Sequence, residues 1–347
     1  MQVLLAHTLG ERGGVSVDVN NQAEGVRRLG GQVQVVRNLP ELARGLRRLP
    51  HALVHLYGCL PSPTAWAMMA TAKAARRPLV WTPTFHPSRR LMWRDRGVLR
   101  AMQVFDLLAP HAAKFTDAVV ALTDEEAAFF WRMGASRVRV IPPAVRSISP
   151  ALSDQEMRSA RRQLGVMGGP LVICVGRSEG RKGLPFAAQV IASVRHHLPD
   201  ATLLLIGTPT DHPLSRLPGI VCAGWIPDEL VEAAYGCADV TFVPSRYEAF
   251  SRVVIEAWAH GCPVIVTDGV ALAPLVAKSG GAVVRFGDHR QAADALIRLL
   301  KDTAMQDQVG AAGRAFVQAD FLLGNVVDQT AALYRELALR SNVRYHS

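Results

Sequence analysis

Leu171-Val172-Ile173-Cys174-Val175-Gly176-Arg177-Ser178-Glu179-Gly180-Arg181-Lys182-Gly183 decides the fold reading. It opens with five apolar residues in a row. Such a run is too short for a buried helix and does not alternate, which predicts a strand covered on both faces. A glycine-rich turn follows, and then an apolar pattern of helical period over 184–197. Strand, turn and helix in that order make the first half of a parallel βαβ unit.

The same alternation runs outward in both directions. Toward the C-terminus, strands are predicted over 201–206, 220–223, 240–243, 264–267 and 282–285, with helices over 228–237, 251–260 and 290–300. Toward the N-terminus, strands are predicted over 3–6, 33–36, 52–55, 79–81, 118–121 and 138–141, with helices over 16–29, 63–75, 98–114 and 124–133. The pattern breaks at Pro142-Pro143 and again over 147–150. A polar helix over 154–164 and then Gly168-Gly169-Pro170 come before it restarts. The chain therefore divides into two Rossmann-like, doubly wound α/β units: 1–147, a linker over 148–168, and 169–323. A last helical stretch from about 324 to 347 is expected to pack back on the first unit. Its 347 residues suffice for two cores.

Composition narrows the chemistry. The five cysteines are scattered and never form C-x-x-C, which argues against a disulfide framework or a zinc site. No apolar run approaches the roughly 20 residues of a bilayer span. The apolar start over 1–6 lacks the basic stretch and length of a signal peptide, so a cytoplasmic protein is expected. The net charge of +10 is one-sided. Residues 1–150 carry 20 Lys and Arg against 10 Asp and Glu, whereas 151–347 carry 19 of each. A positive first half favours an anionic partner. Within it, 88–100 is basic with Leu91, Met92, Trp93 and Leu99 interleaved, which suits peripheral contact with an anionic membrane at its inner face or an anionic acceptor. A solvated face is the plainer reading, and nucleic acid is disfavoured because no binding motif accompanies the charge.

In open α/β sheets ligands bind at the carboxyl ends of strands, so the loops there are searched for chemistry. Gly10-Glu11-Arg12-Gly13-Gly14 follows the first strand and lets backbone approach a ligand, but it is not G-x-G-x-x-G. A tight turn reads equally well. The loop after Val175 holds several cations suited to a diphosphate: Arg177 as a fork and Lys182 as a point charge. No P-loop pattern is present. The strand over 240–243 ends in Pro244-Ser245-Arg246-Tyr247-Glu248-Ala249-Phe250-Ser251, and a helix with Glu256 inside it follows. Amides near Phe250 and Ser251 are uncommitted at a helix start. Glu248 can grip sugar hydroxyls. Glu256, about 9 Å along the helix, can reach a ribose. Two such carboxylates also fit a glycosidase pair or plain surface charges.

Taken together these segments resemble retaining glycosyltransferases of family four, glycosyl transferases group 1, with the GT-B fold. The resemblance rests on Gly176-Arg177 to Lys182-Gly183, the E-x7-E spacing of Glu248 and Glu256, and Gly261-Cys262-Pro263-Val264-Ile265. Gly13-Gly14 and 115–142 match more weakly. It implies two Rossmann-like units facing a central cleft and a hexosyltransferase-type enzyme that moves a sugar from a nucleoside-diphosphate sugar to an acceptor hydroxyl. Arg177, Lys182, Glu248 and His86 are the implied catalytic residues, with Gly14, Gly176, Phe250, Ser251 and Glu256 on the donor. No metal or cofactor is implied. The acceptor is a glycan, a lipid-linked sugar or a small molecule. A nucleotide-sugar epimerase or a non-catalytic donor-binding subunit on the same fold are the alternatives. The chain departs from the family pattern at Ser251, where glycine is usual, at Pro274-Leu275, and at Pro143-Ala144.

Overall fold

The computed structural model describes residues 1–7, 14–58, 62–83, 96–166 and 168–344. The chain separates into two compact units. One joins Met1–Arg146 to Phe321–Ser347, and the other is Ser147–Asp320.

In the first unit the order is β1 (Gln2–His7), α1 (Gly14–Arg28), β2 (Gln32–Val36), α2 (Leu39–Arg48), β3 (Leu53–Tyr57), α3 (Pro63–Ala74), β4 (Leu79–Thr82), α4 (Arg96–Phe115), β5 (Ala118–Ala121), α5 (Asp124–Arg132) and β6 (Val138–Val140). The six strands are parallel in the order β2-β1-β3-β4-β5-β6. Right-handed crossovers put α1 on one face of this sheet and α2 to α5 on the other. Two separate cores follow. One holds Leu42, Met68, Phe105 and Phe130 against Leu4, Val54 and Trp81. The other holds Val19 and Val26 of α1 against Val3, Leu5 and Leu53. The helix α2 was missed in the sequence, although Asn38 caps it by accepting from the Glu41 amide and proline stands in its first turn.

The second unit contains α6 (Asp154–Gln163), β7 (Leu171–Val175), α7 (Leu184–Arg195), β8 (Thr202–Ile206), β9 (Ile220–Gly224), α8 (Asp228–Cys237), β10 (Val240–Val243), α9 (Arg252–Ala259), β11 (Val264–Thr267), α10 (Ala273–Lys278), β12 (Ala282–Val284), α11 (His289–Leu300) and α12 (Thr303–Phe316). Its sheet order is β12-β11-β10-β7-β8-β9, again parallel. The chain winds outward from β7 to β9, then crosses back to β10 and winds the other way. The switch point lies between β7 and β10, the pair whose loops carry the motifs. α6 falls in the stretch read as linker, yet it is built into this unit. Arg161 donates to the Cys237 carbonyl and pairs with Asp239 at 2.9 Å.

After α12 a π-helical turn, Val317–Phe321, leads into α13 (Leu323–Arg344). Val145 donates to the Phe321 carbonyl and accepts from the Leu323 amide, stitching the chain's return to the first unit. Val326, Leu333, Tyr334 and Leu337 of α13 complete the core that α1 began. The two helices come so close at Gly25 that a Cβ there would meet Val327 Cγ2 at 2.1 Å.

His55 of β3 is a core residue of this junction. Its Nδ1 is 2.6 Å from the Tyr334 hydroxyl and its Nε2 is 2.7 Å from Thr82 Oγ1. The ring stacks on Tyr57 at 4.3 Å. Burial lowers its pKa to about 3. The unfolded chain therefore binds a proton near pH 6.5 that the folded chain refuses. Stability from the neutral ring is complete above pH 6.5 and falls as the pH drops toward 3. We expect a loss of about 2 kcal/mol from this group between pH 7.5 and 5, measured by urea unfolding. The His55 imidazole should stay neutral by NMR at pH 5; a His55 that titrates near 6.5 would contradict this.

Candidate functional site

The site is assembled by the two loops at the switch point. β7 ends at Val175, and Gly176 turns the chain with φ at 149°. A short 3-10 turn, Gly180–Lys182, follows, and Gly183 closes it with φ at 68° before α7 begins. Gly183 is required twice over. Its backbone is left-handed, and a Cβ would lie 2.0 Å from the Pro244 carbonyl oxygen. That contact seats the first loop on the second. The Arg246 amide adds a 2.7 Å hydrogen bond to the Arg181 carbonyl, and the Arg246 guanidinium lies over the Phe286 ring at 5.1 Å.

The second loop leaves β10 through Pro244 and Ser245. Glu248 is pinned from behind by the chain after β11. Its amide donates to the Gly269 carbonyl and its carbonyl accepts from the Ala271 amide. Thr267 donates its hydroxyl to the Ser245 carbonyl. The Glu248 side chain is thereby held almost fully buried, 8% exposed, with its carboxylate facing the first loop.

That carboxylate receives a cation on each oxygen. Lys182 Nζ lies 2.5 Å from Oε1, and Arg181 Nη1 lies 2.9 Å from Oε2. Ser245 Oγ also donates to Oε1 at 2.9 Å. Burial alone would push the Glu248 carboxyl up. Lys182 and then Arg181 outweigh it and hold the carboxyl below its usual range. The Arg181 guanidinium is disfavoured by burial but raised on balance by Glu248 and Glu179. Glu179 continues the chain, taking Arg181 Nε at 2.9 Å and Arg177 Nη2 at 2.8 Å. The result is a charge ladder: Arg177, Glu179, Arg181, Glu248, Lys182. Three cations against two carboxylates leave one positive charge over. At the open end stands Arg177, whose side chain is 56% exposed. Such a constellation is suited to a multiply charged anion.

The structure thus brings Lys182 and Glu248 into direct contact, with Gly176 against the Lys182 stem. Arg177 reaches them only through Glu179 and Arg181. Glu256 has partners of its own: the Tyr235 hydroxyl donates to it at 3.1 Å and Arg252 Nε at 3.1 Å. Phe250 is buried. Ser251 caps α9 with φ at 79° and ψ at 87°, a left-handed backbone that disfavours a side chain. Its buried Oγ has no hydrogen-bond partner among the described residues. Gly14 is the first residue of α1. Gly13, the loop before it and His86 lie outside the described residues, as do 88–95 of the basic segment.

Sequence reasoning missed Arg181, Glu179 and Ser245 as members of the site. All three sit inside the quoted motifs, but residue types alone do not say which cations of a glycine-rich loop turn inward. A 3-10 turn places successive side chains about 120° apart, and here two neighbours reach one carboxylate.

Residues 169–302 match the family model described as Glycosyl transferases group 1. The segment spans both loops and Glu256. Alpha-D-kanosaminyltransferase of Streptomyces kanamyceticus is 25% identical over 242 residues, covering 66% of this chain and 63% of that one. The chain therefore spans about three fifths of that relative's length. 2-Deoxystreptamine glucosyltransferase of the same organism is 25% identical over 325 residues, covering 88% and 83%. Among solved structures, Anabaena Alr3699/HepE in complex with UDP and glucose superposes with a TM-score of 0.79 at 18% identity, covering 97% of this chain and all of that one. At that identity the likeness concerns the fold, which is the GT-B fold of two α/β units.

Proposed function

We propose that the chain is a retaining glycosyltransferase that moves a sugar from a nucleoside-diphosphate sugar to an acceptor hydroxyl. The observation that carries this reading is the ladder at the β7–β10 switch point, in a segment matching a glycosyltransferase family, with Lys182 and Arg181 on one buried carboxylate. The donor diphosphate takes up the excess positive charge, with Arg177 at the exposed end as its first contact. Glu248 orients Lys182 and Arg181 and lies beside the transferred sugar's hydroxyls. Glu256 holds the ribose. Preorganised cations stabilise charge as it develops on the leaving group, without reorganisation at the moment of reaction. The same electrostatics is what a divalent metal supplies in other transferases, and the proposal assigns it to side chains.

In the proposed step the acceptor oxygen bonds to the anomeric carbon on the face the leaving group departs from. The bond from that carbon to the β-phosphate oxygen breaks, and the acceptor proton passes to the departing phosphate. His86 and Gly14 keep the roles implied by their resemblance. UDP bound to a structural neighbour makes a uridine donor the first to try.

The test is to incubate the protein with UDP-glucose and hydroxylated acceptors, with a chelator present, and to follow products by proton NMR. One UDP released per glycoside formed, with the donor's anomeric configuration kept, is expected. An inverted product, or a changed sugar released with no acceptor added, would overturn the reading.

A further inference from the structure

Lys182 and Arg181 are the more sheltered cations of the β7 loop, with side chains 17% and 29% exposed. Both are already engaged. Glu248 Oε1 accepts from Lys182 and Ser245, and Oε2 accepts from Arg181. Glu179 takes the Arg181 Nε. The Glu248 carboxyl is held below its usual range, first by Lys182 and then by Arg181, against the effect of burial. It is therefore ionised at neutral pH and can only accept hydrogen bonds. A phosphate oxygen is the same kind of acceptor with the same sign of charge. A diphosphate entering this loop must share Lys182 and Arg181 with a buried carboxylate and stand beside its charge.

Sharing is open to both cations, because an ammonium carries three donors and a guanidinium five. What sharing removes is compensation. A buried carboxylate is tolerated only while it is paired and hydrogen-bonded. Sugar hydroxyls can restore the loss, since a hydroxyl donates. A bare diphosphate brings only acceptors. We propose that Glu248 is a built-in competitor of the diphosphate: it weakens any bare diphosphate at the site, and the hydroxyls of an attached sugar offset it. The site then prefers the intact donor to the nucleoside diphosphate left after transfer. The side chain that seats the sugar also helps to expel the product. This inference rests on the proposed reaction and adds to it a discrimination that the reaction does not require. Glu179 supplies the contrast. It pairs with Arg177 and Arg181 but is given no part in holding the sugar. Its charge weakens bare and sugar-bearing diphosphates alike.

The test is titration calorimetry of the full chain, Glu248→Gln and Glu179→Gln with UDP, UDP-glucose and inorganic pyrophosphate. Glu248→Gln should bind pyrophosphate and UDP about tenfold more tightly than the parent or better, as a nearby like charge is gone. UDP-glucose should gain less, because its sugar loses an acceptor, so the preference for the sugar-bearing ligand shrinks. Glu179→Gln should strengthen all three by a similar factor. Pyrophosphate should raise the melting temperature of Glu248→Gln more than that of the parent. One measurement needs no variant. Saturating glucose should tighten UDP binding to the parent several-fold, because the free sugar brings the missing donors. UDP and pyrophosphate bound no more tightly by Glu248→Gln, or UDP binding to the parent unmoved by glucose, would overturn the inference and leave the proposed reaction standing. Pyrophosphate and UDP binding unchanged in Lys182→Ala would remove the cations from the diphosphate, and the reaction and the inference would fall together.

Discussion

Lys182→Ala is expected to lower turnover by a factor of about 10² to 10³, the usual loss when one preorganised charge is removed from a transition state. The fold should survive. Glu248 keeps Arg181 at 2.9 Å and Ser245 at 2.9 Å, so its buried charge is not left alone. Removing the carboxylate is a different experiment. Glu248→Gln leaves the half-buried Lys182 facing only an amide, while Arg181 keeps Glu179 at 2.9 Å, and the uncompensated ammonium near the interior destabilises. The two variants should therefore separate: Lys182→Ala loses rate at a near-native melting temperature, and Glu248→Gln loses both. Steady-state kinetics with saturating donor, beside a thermal melt, checks this. A Lys182→Ala enzyme within a few-fold of the parent would remove Lys182 from the proposed chemistry.

Gly183→Ala should be the most damaging single methyl in the second unit's site. The left-handed backbone at this position costs a residue with a Cβ roughly 1–2 kcal/mol. The new carbon would also lie 2.0 Å from the Pro244 carbonyl oxygen and 3.1 Å from Phe286 Cε2. One of these is backbone, so the loops must part, at a cost of roughly 1–3 kcal/mol more. For a unit of this size the sum lowers the melting temperature by roughly 5–15 °C. Because the displaced loop carries Arg181 and Lys182, donor affinity should fall as well. Gly180→Ala, three residues earlier, is the control. Nothing lies within 4 Å of a Cβ there, and its φ is not positive. It should be near neutral in both measurements.

The parallel sheets were legible because their strands, such as Leu171–Val175 and Val240–Val243, are apolar but for Thr241 and end at glycine or proline. The switch point was legible only as loops rich in special residues. The sequence does not state the strand order that sets β7 beside β10. The helix α2 was obscured by its five polar or glycine positions among ten, and α6 by a polarity that suggested linker. The departure at Ser251 gains a physical meaning in the structure. A backbone at φ 79° is where glycine is expected, so the serine is carried with strain and with a buried hydroxyl lacking a partner among the described residues. The inward turn of Arg181 and Lys182 depends on the geometry of a single 3-10 turn, which residue types do not encode. The core place of His55 is not legible locally either. Its partner Tyr334 lies 279 residues away.

The most direct measurement is a crystal structure of the protein soaked with UDP. The phosphates are expected within hydrogen-bond reach of Lys182, Arg181 and Arg177, with the ribose hydroxyls on Glu256. A diphosphate bound elsewhere, with Lys182 and Arg181 still closed on Glu248 and untouched by it, would contradict the proposal that these cations hold the donor.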